Sequence, residues 1–173
     1  MTITIRTFIA LAMIALFGGC SVHYSTTGAS IDNEAKTVNV RFIENRAPIT
    51  NPTLSQKITQ KLRDKVTSQT RLTQVGDNEP RADYEFRGAI TGYSFSNAAV
   101  TNVDQAATSR LNVTINITFI KRVGDKKGFT QSFTRSADFS ANQLPSVVEN
   151  GLLNDNIIPG IVDDIFNRAF ANW

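Results

Sequence analysis

The run RLNVTINITF, residues 110–119, alternates without interruption. Leu111, Val113, Ile115, Ile117 and Phe119 are apolar, and Arg110, Asn112, Thr114, Asn116 and Thr118 are polar. Successive side chains of a strand point to opposite faces, so this pattern predicts a strand with one face on a core and the other polar. Two glycosylation-type triplets, Asn112-Val-Thr114 and Asn116-Ile-Thr118, fall inside it and follow from the same polar alternation. Working outward, Phe129 to Phe139 sets Phe129, Phe133, Ala137 and Phe139 on one side, and Val123-Gly-Asp-Lys-Lys-Gly128 between the two runs has the glycines of a tight connection. A hairpin follows.

Upstream, Tyr84 to Phe95 has strand composition with Tyr84, Phe86 and Ile90 on one side, and Gly88 and Gly92 at positions suited to a bend or bulge. Thr37 to Ile43 alternates again, placing Val38, Val40 and Phe42 together, and Leu72 to Val75 is a short strand candidate. Asn97 to Ala107 and Gly76 to Pro80 read as connections. From Pro52 to about Thr70, Leu54, Ile58, Leu62 and Val66 recur every fourth position, with Asn51 as cap and Pro52 at the first helical position. Ser140 to Pro145 is a loop leading to a C-terminal helical region, in which Ile157, Ile158, Ile161, Val162, Ile165, Phe166, Ala169 and Phe170 form a broad apolar face. Pro159-Gly160 interrupts that face. An interior proline costs a helix about 3 kcal/mol, which predicts a kink or two consecutive helices there. Strands and helices in this order, without sustained βαβ alternation, predict an α+β two-layer sandwich. Two helices, the C-terminal one kinked or broken, would cover a mixed or mainly antiparallel sheet of four to five strands.

The beginning of the chain carries a different signal. FIALAMIALFGGCS, residues 8–21, is an apolar run behind Arg6 that ends in Gly18, Gly19 and the only cysteine, Cys20. Charge, apolar core and small residues in that order make an export signal, too short to span a bilayer of about 20 apolar residues. Cys20 in that place predicts a bacterial lipoprotein: residues 1–19 removed, covalent lipid on Cys20, residues 20–36 a tether, and one domain over 37–173. Ser21 beside Cys20, rather than Asp, predicts the periplasmic side of the outer membrane.

Composition narrows the function. The whole chain carries a net charge of +3, and loss of the segment holding Arg6 lowers it by one, too near neutral for a nucleic-acid binder. A single cysteine allows no internal disulfide. The one histidine, His23, lies in the tether; Asp163 and Asp164 are neighbours on a predicted helix and point in different directions; and there is no phosphate loop or metal-ligand spacing. These features predict no enzyme and no cofactor beyond the lipid. Lys121, Arg122, Lys126 and Lys127 crowd the predicted hairpin tip, where they either meet phosphates of a lipid or keep the hairpin soluble and unpaired.

Five stretches resemble the LptE family of lipopolysaccharide-assembly lipoproteins: AKTVNVRF from Ala35, NPTLSQKITQKLRDKV from Asn51, SQTRL from Ser68, GAITGYS from Gly88 and DIFNRAFANW from Asp164. Pro159-Gly160 departs from the unbroken helix expected of similar proteins. The resemblance implies a lipid-anchored protein that plugs the lumen of the large outer-membrane barrel LptD, helps it assemble, and assists passage of lipopolysaccharide to the outer leaflet. Barrel interiors are polar, which suits the face of Asn112, Thr114, Asn116 and Thr118, although solvent would suit it equally. That face and the four basic tip residues are the candidate contacts for barrel or lipopolysaccharide. The alternative is another periplasm-facing lipoprotein scaffold or a secretin-assembly chaperone.

Overall fold

The computed structural model describes residues 31–49, 51–77, 81–98 and 108–171. The export segment, Cys20, His23 and most of the connection expected over Asn97 to Ala107 lie outside these residues. The elements are β1 (Thr37–Val40), β2 (Glu44–Asn45), α1 (Leu54–Gln69), β3 (Thr73–Gln74), β4 (Tyr84–Ala98), β5 (Thr108–Lys121), β6 (Phe129–Ser140), α2 (Pro145–Leu152), a π-helical turn (Leu153–Ile157) and α3 (Ile158–Phe170).

The strands form one mixed sheet in the order β3-β1-β4-β5-β6. β4, β5 and β6 are antiparallel neighbours; β1 runs parallel to β3 and β4, and two-residue β2 continues the parallel pairing to β4. The expected hairpin is β5–β6, with Phe119 opposite Phe129 and Leu111 opposite Ala137. The irregularity anticipated at the strand glycines is a register shift between Ile90 and Gly92. Gly88 answers a close approach instead: a Cβ there would lie 2.5 Å from Ile117 Cδ1 and 2.7 Å from the Asn116 carbonyl.

One face of the sheet holds the core. Leu111, Val113, Ile115, Ile117 and Phe119 are all buried, as are the α1 stripe Leu54, Ile58, Leu62 and Val66 and the α3 residues Ile158, Ile161, Val162, Ile165, Phe166 and Phe170. Where sheet meets α3, Tyr84, Phe86, Phe119 and Phe170 pack ring on ring, the nearest pair being Phe86 and Phe119 at 4.5 Å. The two aspartates of α3 diverge as expected: Asp163 reaches Lys65 of α1 at 2.8 Å, and Asp164 reaches Arg135 of β6.

The C-terminal helix is assembled from pieces, and the break falls ahead of the proline. In the π-turn the Ile158 N–H reaches back to the Leu153 carbonyl, and Pro159 follows directly after this wider turn, in the first turn of α3. Three further differences have local causes. α1 starts at Leu54, because Asn51 Oδ1 takes the Thr53 N–H and hydroxyl in a turn just before it, each at 3.0 Å. Phe42, expected inside, is 52% exposed, while Ile43 is buried. The strand alternation stops there because the Ile43 N–H bonds to the Thr59 hydroxyl of α1 rather than to the sheet. Of the expected tether, Ala35 is buried, Ile31 packs against the core, and Arg71 and Tyr84 hold the Asp32 backbone.

Candidate functional site

The opposite face of the sheet is polar, and no described element covers it. Its centre comes from β5, where Asn112, Thr114, Asn116 and Thr118 are half-buried, flanked by the exposed Thr130, Ser132, Thr134 and Ser136 of β6. These side chains bond to one another across the strands. Thr114 meets Thr134 at 2.9 Å and Thr118 meets Thr130 at 3.0 Å; the Asn116 amide donates to Ser132, and that of Asn112 to Ser96 of β4, each at 3.2 Å. Cross-strand pairs of this kind hold register and orient each other's hydroxyls. The result is a flat, uncharged band of hydrogen-bonding groups, which can be removed from water at lower cost than charges.

Charge lies at the two ends of the band. At one end Arg110 and Asp138 form a two-point pair at 2.5 and 2.8 Å. At the other, Glu85 is buried and takes hydrogen bonds from Arg41, Arg87 and Arg122. Burial pushes the Glu85 carboxyl upward, but bonds from Arg87, Arg122 and Arg41 outweigh it and hold it down at about 2. This hub was not anticipated. Its signal was the alternation that puts Glu85 and Arg87 on the polar side of β4, and Arg41 on the polar side of the run Thr37 to Ile43.

The four basic residues of the hairpin tip do not act together. Lys121 turns to the core side, where its Nζ sits over the Tyr84 ring at 5.7 Å and bonds Asp125 at 3.0 Å. Arg122, one residue on, turns to the other side, joins Glu85 and donates to the Ala82 carbonyl at 2.8 Å. Lys126 and Lys127 are exposed. The turn from Arg122 to Lys127 carries two left-handed residues, Gly124 at φ +67° and Lys126 at φ +53°.

A second polar contact fixes α2, none of whose residues is buried. Glu149 accepts from the Tyr93 hydroxyl of β4 and, at 2.5 Å, from the Asn51 amide ahead of α1. Burial and then the Glu149 carboxylate push the Tyr93 phenol up. Leu144 and Val147, at the start of α2, are 70% and 73% exposed. Among the described residues no group of acidic, histidine or cysteine side chains is placed to hold a metal, and no helix is long and apolar enough to cross a membrane.

The family model for LptE, described as lipopolysaccharide-assembly, matches residues 35–169. The chain belongs to the LptE family. The match begins just ahead of β1 and ends one residue short of the end of α3, so the LptE region takes in every strand of the sheet and the helical layer that covers it. No curated protein sequence matches the chain significantly. Among solved structures, the hypothetical protein CT253 from Chlamydia trachomatis is 10% identical, with TM-score 0.51, over 78% of this chain and 98% of its own. A neuraminyllactose-binding hemagglutinin homologue from Helicobacter pylori is 12% identical, with TM-score 0.51, over 84% of this chain and 91% of its own. Both share the LptE fold of this chain, and at these identities the likeness concerns the fold alone.

Proposed function

We propose that this LptE-family protein is a non-enzymatic outer-membrane lipoprotein, anchored through lipid on Cys20 after removal of residues 1–19. Its domain would plug an LptD-type barrel from the periplasmic side, helping the barrel to assemble and lipopolysaccharide to reach the outer leaflet. The observation that carries the reading is the family match across the whole sandwich. The band of Asn112, Thr114, Asn116 and Thr118 supports it, since a domain lodged in a lumen must present a polar, weakly charged face to a polar wall. Lys126 and Lys127 are the tip cations free to meet lipid phosphates, while Lys121 and Arg122 serve the fold. Residues 20–30 bridge the anchor and the packed Ile31, and eleven residues reach at most about 40 Å when extended.

A tagged wild-type chain is expected to take up radiolabelled palmitate, fractionate with the outer membrane and bring down an LptD-type barrel. Cys20→Ser should abolish the label and membrane association. Two or more acyl chains anchor stably at roughly 0.8 kcal/mol per buried methylene, so the loss should be near complete. A wild-type chain without palmitate would refute the anchor. Recovery of a different envelope machine in place of the barrel would refute the plug.

A further inference from the structure

At the Glu85 end of the bare face, three guanidinium groups meet one carboxylate. Glu85 is 2% exposed. Arg41 and Arg87 both place Nε on the same oxygen, Oε1, and Arg122 takes Oε2. Among the described residues no second acid pairs with any of the three, which leaves an excess of two positive charges. A single arginine would neutralise Glu85. The other two do more than balance it.

The way Arg41 and Arg87 are held matters as much as their number. Each is fixed through Nε, and the terminal nitrogens of both forks have no hydrogen-bond partner among the described residues. Their side chains are 42% and 50% exposed, so those nitrogens are open to solvent. Because both forks hold the same oxygen through Nε, the two guanidinium groups are gathered at one point of the face with their terminal nitrogens left over.

We propose that Arg41 and Arg87, braced by Glu85, form a binding site for a phosphate monoester. Guanidinium forks match phosphate oxygens two at a time. A phosphate monoester carries a charge of about −1.5 to −2 near neutral pH, which matches the excess, whereas a carboxylate would offset half of it. The site needs only these arginines and stands whether or not the same face meets a barrel.

The test uses the full lipidated chain in detergent, titrated calorimetrically with inorganic phosphate. The same chain, still in detergent, is then titrated with a soluble short-chain phosphatidate and with the matching short-chain phosphatidylcholine. Saturable binding of free phosphate is expected, or, if the source is a headgroup, binding of the phosphatidate and not of the phosphatidylcholine. Arg41→Gln and Arg87→Gln should each weaken it about tenfold or more, the effect of one charge-assisted hydrogen bond. Arg110→Gln, at the far end of the face, should leave it unchanged. Arg87→Lys keeps the charge but loses the fork, and should fold and bind several-fold more weakly. A wild-type chain that binds neither probe overturns the proposal. So does undiminished binding by the Arg41→Gln/Arg87→Gln double variant, or by Arg87→Lys if the glutamine variants do not fold.

Discussion

Phe119→Ala is expected to destabilise the domain by about 3–5 kcal/mol, the range for removing a fully buried phenylalanine. Phe119 is 2% exposed, and its ring lies within 4.5–5.7 Å of Phe86, Tyr84, Phe129 and Phe170. Phe170 is the last residue of α3, so truncation would open a cavity in the contact that joins the sheet to the C-terminal helix. At this chain length each kcal/mol lowers the Tm by about 2–4 °C, so a fall on the order of 10 °C is expected in thermal unfolding followed by circular dichroism. Thr118→Ala, its neighbour on the bare face, removes only the bond to exposed Thr130 and should cost less than about 1 kcal/mol. Equal losses for the two variants would mean that the core does not lie on the helix side.

Glu85→Gln is the second large effect. Removing one partner of a buried ion pair costs about 3–5 kcal/mol, because the charges left behind are unpaired. Arg41 and Arg87 are half-exposed and can turn to water, so the expected loss falls somewhat below that range, about 2–3 kcal/mol. The pH dependence has a definite sign. The carboxyl is held at about 2 in the folded protein against an ordinary 4.5, so its contribution is complete above about pH 4.5 and is lost as pH falls toward 2. Urea unfolding from pH 6 down to pH 2 should show a stability loss on that limb, on the order of 2–3 kcal/mol for the wild-type chain, and a flatter limb for Glu85→Gln. Parallel curves would mean that the arginines do not stabilise the ionised carboxylate.

What could be read from the sequence was what repeats locally. β5, its hairpin partner, the α1 stripe and the apolar face of α3 follow from periods of two and about 3.6, because burial imposes those periods directly on the residues. Features set by distant partners left no such trace. β2 is two residues long and exists through its pairing with β4. α2 has no fully buried residue; it is held by the partly buried Val148 and Leu152 and by Glu149, which meets Tyr93 and Asn51 far away in sequence. The hairpin tip shows the same limit. Four cations near one another in the chain suggested one patch, yet consecutive strand residues point to opposite faces, so Lys121 and Arg122 part to Tyr84 and Glu85. The polar candidates Asn112, Thr114, Asn116 and Thr118 do share one face, because alternate residues must. The arginine hub at its end took three segments to assemble, and no single run of residues displays it.

The claim that most needs testing is that this uncharged sheet face is the surface a barrel wall meets. A photoreactive amino acid placed in living cells at Thr114 or Asn116, with exposed Gln60 of α1 as the helix-side comparison, tests it directly. Crosslinks to an LptD-type barrel from Thr114 and Asn116, stronger than from Gln60, are the predicted result. Barrel adducts from Gln60 alone, or no adduct from the sheet face in cells where the barrel is present, would contradict it.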